Sequence, residues 1–123
     1  VQGAPAVTIG KATKPNKLVV QPLIKGKGAA VTAHDSIDVK YRTYAWSSGE
    51  LIEDGYSAEP VTGSMNSVIP GWKKGLIGQT VGSRVMLIVP PADAYPNGST
   101  NPPVKKGETL IYVIDILSAQ KES

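Results

Sequence analysis

Cysteine is absent from the 123 residues, and histidine occurs once, as His34. Without cysteine there is no disulfide and no thiolate-held metal. A single His leaves no plausible zinc site and no Ser-His-Asp triad. Carboxylates alone remain as metal ligands, and no acidic loop has the spacing of a calcium-binding helix–loop–helix. No apolar run reaches the length of a membrane-spanning helix. Phenylalanine is missing too, so the aromatic content rests on five Tyr and two Trp.

Charge is also thin. The net charge is +3, and the lysines cluster at most in pairs, Lys73–Lys74 and Lys105–Lys106. A nucleic-acid reader more often carries a basic stripe with interleaved aromatics, so no nucleic-acid partner is expected. What is plentiful is Gly and Pro, thirteen and ten residues, with rich stretches at 1–16 and 90–107. The length suits one domain that can bury a core without staples. The chain opens at Val1 rather than Met, as expected of a processed or excised piece whose first residues are a cloning remnant.

Residues 1–16 have no sustained periodicity and read as an extended arm. Lys17–Ile24 predicts a first strand, at a sheet edge because of Pro22. Ile37, Val39, Tyr41 and Thr43 alternate with Asp38, Lys40, Arg42 and Tyr44. That period of two predicts a strand over Ile37–Trp46 with one face buried. Glu50–Ser57 predicts a short strand, and Pro60–Asn66 an irregular segment. Val68–Gly78 predicts a short helix, with Pro70 in its first turn and Gly78 at a left-handed cap. Trp72 and Leu76 share a face of it. Gly71 and Gly75 weaken it by about 1 kcal/mol each relative to Ala, so packing must hold it. Arg84–Val89 and Thr109–Leu117 predict two more strands. Between them, 90–107 reads as a long loop holding five of the ten prolines, and loops of that length are commonly functional. Strands with one helix late in the order make the class α+β. The domain is expected over 17–119, with 120–123 as a tail.

Three blocks then stand in one order: Val39–Lys40–Tyr41, Val68-Ile69-Pro70-Gly71-Trp72-Lys73-Lys74-Gly75-Leu76-Ile77-Gly78, and Pro90-Pro91-Ala92-Asp93-Ala94-Tyr95. The middle block, continued by Val81–Gly82, resembles the V-I-x-G-W-x-x-G-L-x-G-M-x-V-G signature of FKBP-type peptidyl-prolyl cis/trans isomerases. The third resembles that family's I-P-P-x-x-A-Y-G turn. Leu110–Leu117 resembles its closing strand. The resemblance implies an FKBP-like antiparallel half-barrel of five or six strands wrapped around one short helix, with an apolar pocket between helix and sheet. It implies prolyl peptides as substrate, rapamycin-type macrolides as possible ligands, no cofactor, and a monomer. The arm resembles the tether of secreted or lipid-anchored bacterial members, so an extracytoplasmic location is expected.

Site residues follow from the same resemblance. Trp72 matches the indole that floors the proline pocket. Val68 and Ile69 match its wall, and the Ile69 N–H matches the donor to a substrate carbonyl. Tyr41 and Tyr112 match ring-bearing wall positions, and Tyr95 matches a hydroxyl donor at the rim. The departures are as informative. Where the family has G-x-x-F-D-S-S, this chain has Gly49-Glu50-Leu51-Ile52-Glu53-Asp54, which sets Ile52 at the Phe and Glu53 at the Asp; the other register sets Asp54 there. Val61 stands where a Phe is common, and Asn101 where an Ile is usual. The pocket is expected to keep its floor and lose some of its wall.

Rotation about a peptide bond faces a barrier of ~18–20 kcal/mol from amide resonance. Cis and trans X-Pro forms differ by only about 0.5–1 kcal/mol, and exchange unaided takes ~10–100 s. Accelerating it needs no nucleophile and no tuned acid. It needs a site that binds the twisted amide better than either planar form. An apolar pocket favours the less dipolar twisted amide, and donors at its rim anchor the flanking carbonyls. Two other readings stand beside this one. The first is a weakly catalytic or non-catalytic module that binds proline-containing segments. The second is a purely structural β-domain.

Overall fold

Alternation from Ile37 to Thr43 draws a long strand, and in the computed structural model it runs over Asp35–Ala45, as β2. The structure describes residues 17–55, 59–100 and 102–121, so the expected arm lies outside the described residues. Around β2 stand β1 (Val19–Ile24), β3 (Leu51–Asp54), β4 (Val61–Ser64), the helix α1 (Pro70–Leu76), β5 (Arg84–Val89), and the short pair β6 (Ser99–Thr100) and β7 (Pro103–Val104). The chain closes on β8 (Leu110–Lys121).

Six strands form one antiparallel sheet in the order β1-β5-β8-β2-β3, with β4 also on β2. β1 is the edge expected from Pro22. The free side of β2 is shared: its first half, Ser36–Val39, pairs with β4, and its second half, Arg42–Tyr44, pairs with β3. β8 lies between β5 and β2 and is buried on both faces from Leu110 to Ile116. That position accounts for its near-continuous apolar run. On the outer face Asp115 is enclosed by a two-pronged ion pair with Arg84, at 2.7 and 3.0 Å.

The inner face carries Ile37 and Val39 from β2, Val85, Leu87 and Val89 from β5, and Leu110, Ile114 and Ile116 from β8. α1 closes over them. Its buried face is Gly71, Trp72, Gly75 and Leu76, the i, i+4 pairs expected of one helical stripe. The two glycines have a reason. A Cβ on Gly71 would lie 2.5 Å from Val89 Cγ1, and one on Gly75 would lie 2.6 Å from Leu87 Cδ2. Helix propensity is traded for close approach to the sheet. Gly78 takes φ +90° just past the helix, a conformation glycine adopts freely. Lys74 reaches back to Asp93, Nζ to Oδ1 at 2.8 Å, tying α1 to the turn after β5.

Several boundaries differ from the sequence reading. The helix is Pro70–Leu76 rather than Val68–Gly78, because Ile69 is extended (ψ 153°) and Ile77 is too (ψ 127°). Pro60–Asn66 is not irregular: β4 fills the unpaired half of β2, and its Gly and Ser residues hide it from a hydrophobic pattern. The 90–107 segment is not structureless. It holds a single 3-10 turn at Pro91–Asp93 and the β6–β7 pair. The last strand does not stop at Leu117; residues as far as Lys121 pair with the start of β2, so Gln120 and Lys121 belong to the sheet rather than to a tail. The predicted strand over Glu50–Ser57 is shorter, and Ser57 lies outside the described residues.

Candidate functional site: an aromatic cleft between helix and sheet

A cleft of about 260 Å³ opens between α1, the inner face of β2 and β8, and the loop after β5. The chain brings its aromatic rings there from three elements. Trp72 comes from the helix, Tyr41 from β2 and Tyr112 from β8. The Trp72 ring stands edge-on to both tyrosines, with centroids 5.0 Å from Tyr41 and 5.5 Å from Tyr112 and planes at 89° in each case. Such edge-to-face geometry is the favoured arrangement of aromatic quadrupoles. Trp72 and Tyr112 are buried. The Trp72 indole N–H is buried without an acceptor among the described residues.

Val68 and Ile69 line the cleft from the segment entering the helix, and Val61 lines it from β4 while nearly half exposed, at 46%. The Ile69 carbonyl accepts from the N–H groups of Trp72 and Lys73, as the cap of a helix does. The Ile69 N–H makes no hydrogen bond to another described residue, so a donor is left at the cleft wall. Tyr95 lines the cleft from the loop after β5, and its hydroxyl also makes no hydrogen bond to another described residue.

Glu53 enters from β3. One register line crosses four strands, pairing Leu87 with Tyr112, Tyr112 with Thr43, and Thr43 with Glu53. Glu53 therefore faces inward beside Thr43, with Tyr112 one strand further on. Its Oε2 accepts from the Tyr41 hydroxyl at 2.9 Å, and its Oε1 from the Thr43 hydroxyl at 3.2 Å. Burial, then the Glu53 charge, pushes the Tyr41 phenol well above the usual tyrosine range. Burial pushes Tyr112 up as well, with small additions from Tyr95, Glu53 and Tyr41. Tyr95 is raised by burial and by the Glu53 charge. All three phenols stay protonated donors at neutral pH.

Ile52 sits at the β2–β3 bulge. The resemblance sets it in the cleft wall, yet it is not among the cleft-lining residues. The β2–β3 register passes from Thr43↔Glu53 to Tyr44↔Leu51, so Ile52 is the residue the pairing skips. A bulge breaks the alternation of faces, and Ile52 is partly buried and packed against the hydrophobic core. It lines a separate hollow of about 70 Å³ with Ala45, Pro103 and Glu108. Asp54, the acid of the other register, pairs with Arg42 instead, at 3.1 Å. Asn101 lies outside the described residues, and its neighbour Pro102 lines the cleft. Gly63, Ser67 and Pro102 are lining residues that the sequence reading did not name. Only the placement of β4 against β2 could have brought in Gly63.

A ring-walled cleft with donors at its rim that have no partner among the described residues, on a half-barrel closed by one helix, suits an extended peptide bearing a small apolar ring. Residues 27–117 match the family described as FKBP-type peptidyl-prolyl cis-trans isomerase. The chain belongs to that family. It is 32% identical over 117 residues to a probable FK506-binding protein of Corynebacterium glutamicum, covering 94% of this chain and 98% of that one. It is 30% identical over 118 residues to an FK506-binding protein of Streptomyces anulatus, covering 93% and 95%. The crystal structure of FkpA from Escherichia coli superposes with a TM-score of 0.76 at 28% identity, over 92% of this chain and 55% of that one.

Proposed function

We propose that this chain accelerates cis/trans exchange at X-Pro bonds by holding the twisted amide in the Tyr41–Trp72–Tyr112 cleft. The observation that carries the reading is the T-shaped packing of Trp72 between two tyrosines, three residues after Ile69, whose N–H has no partner among the described residues. The flat indole accepts a pyrrolidine ring on its exposed surface. The Ile69 N–H and the Tyr95 hydroxyl are placed to take the carbonyls on either side of the rotating bond. Fixing the ends while the middle turns converts binding energy into orientation. The surrounding rings exclude water, which favours the less polar twisted amide. No proton moves, so the chemistry is compatible with a cleft that holds one carboxylate and no His or Cys.

The test is exchange spectroscopy on a series of X-Pro tetrapeptides. Enhanced exchange that is lost on adding a competing prolyl peptide is expected. Binding without enhanced exchange would leave a proline-peptide module in place of an enzyme. The half-exposed Val61 and the aliphatic Ile52 favour a slower catalyst than one with a full aromatic wall. Binding of rapamycin-type macrolides in the same cleft is part of the proposal, supported by two relatives named for FK506 binding. So are action as a monomer and an extracytoplasmic setting, which sedimentation and fractionation of native cells test.

A further inference from the structure

Among the described residues that line the cleft, Glu53 carries the only formal charge, in a chain whose net charge is +3. Its carboxylate is held rather than free to swing out. The Tyr41 hydroxyl engages one oxygen and the Thr43 hydroxyl the other. Thr43 is fully buried and sits directly across the β2–β3 ladder from Glu53, so sheet register fixes its hydroxyl. Each carboxylate oxygen still has a free lone pair. A negative charge fixed among rings is screened less than one in water, so it attracts a nearby cation and repels an anion more strongly.

We infer that Glu53 selects among prolyl substrates, favouring a Lys or Arg side chain next to the proline over an acidic one, with Thr43 as the positioning residue that holds the carboxylate for this role. The inference rests on the prolyl-isomerase reading of the cleft. A lysine ammonium brings three donors and an arginine guanidinium five, either of which reaches the free lone pairs. A glutamate side chain in the same place meets like charge with no cation among the described lining residues to offset it.

The experiment compares tetrapeptides that differ only at the residue before, or the residue after, proline, with lysine, norleucine or glutamate there. Norleucine keeps the lysine stem and removes the charge. At low salt, kcat/KM for lysine should exceed that for norleucine by about fivefold at one of the two positions, the upper range for a partly exposed ion pair. Glutamate should fall below norleucine, and 1 M salt should bring the ratios towards one. Glu53→Gln should take the lysine-to-norleucine ratio to about one. Thr43→Val should lower it, and Thr43→Ser should restore it. A purely structural Thr43 would shift the melting temperature and scale all peptides alike, and unchanged ratios in a folded Thr43→Val would overturn its positioning role. If Thr43→Val does not fold, Glu53→Gln decides the selectivity alone. A wild-type ratio of one at both positions, or a ratio that survives Glu53→Gln, overturns the proposal while turnover of the norleucine peptide leaves the isomerase reading intact. No turnover of any peptide overturns both.

Discussion

A Cβ on Gly71 would stand 2.5 Å from Cγ1 of Val89, 3.0 Å from its Cγ2 and 3.2 Å from the Asp93 carbonyl oxygen. The helix therefore touches β5 through glycine, and the indole of the next residue is seated at the depth this contact sets. Val89 is β-branched and fully buried, so it has little rotamer freedom with which to yield.

Gly71→Ala is accordingly expected to destabilise the fold. Alanine gains at most about 1 kcal/mol of helix propensity, while overpacking a closed site costs about 1–3 kcal/mol. Both methyls and a backbone oxygen oppose the new Cβ, so the upper part of that range applies and the net loss should be about 1–2 kcal/mol. Urea denaturation measures it. A stabilised variant would mean that α1 rides further from the sheet than described.

Trp72→Ala should damage peptide binding more than Tyr95→Phe. The first removes a buried ring in contact with two others, a change that costs about 3–5 kcal/mol in a core. The second removes one hydrogen bond, a net of about 0.5–1.5 kcal/mol. Circular dichroism separates unfolding from lost affinity for Trp72→Ala, and titration with a prolyl peptide follows for whatever fraction is folded. Equal affinities in the two folded variants would place the proline away from Trp72.

Much of this architecture was legible in the sequence. The alternation of Ile37–Thr43 and the apolar run of Leu110–Leu117 mark the two long strands, and Pro70 with Gly78 brackets the helix. What escaped depends on partners far along the chain. β4 has little apolar pattern of its own and is a strand because Ser36–Val39 leaves an edge to fill. β8 gains its last residues from the same stretch of β2. In the cleft, the VIPGW block points to Trp72, Val68 and Ile69. The Thr43 hydroxyl could not be anticipated, since its use depends on a β2–β3 register that a bulge displaces by one residue.

The raised phenols of Tyr41 and Tyr112 predict the alkaline limb of stability. An unfolded tyrosine ionises near pH ~10, and both folded groups ionise above that. Between the two values the unfolded chain has released a proton that the folded chain keeps, so stability falls as pH rises. The contribution is fully present below about pH 10 and is lost as pH climbs through the folded values. Tyr112→Phe should flatten this limb while leaving the neutral range unaffected by titration. Melting temperatures from pH 7 to 11.5 test it, and an equally steep limb in the variant would assign the loss to another group.

Ile52→Phe tests whether position 52 walls the cleft, as the family motif suggests. If Ile52 walled the cleft, a phenyl ring there would bury some tens of Å² against the proline, and at ~25 cal/mol per Å² that approaches ~1 kcal/mol, or about fivefold in rate. Ile52 instead sits at the bulge, packed against the core, and lines a hollow of about 70 Å³ with Ala45, Pro103 and Glu108. Isomerisation rate and macrolide affinity should then stay within about twofold of the parent, inside the scatter of remote surface changes. Stability should move instead, since a ring forced into a small hollow meets the overpacking cost of about 1–3 kcal/mol. Rate, affinity and melting temperature measured on one preparation distinguish the two cases. A faster enzyme at unchanged stability would place residue 52 in the cleft wall beside Glu53, which the β2–β3 bulge permits because two residues of β3 there oppose one of β2.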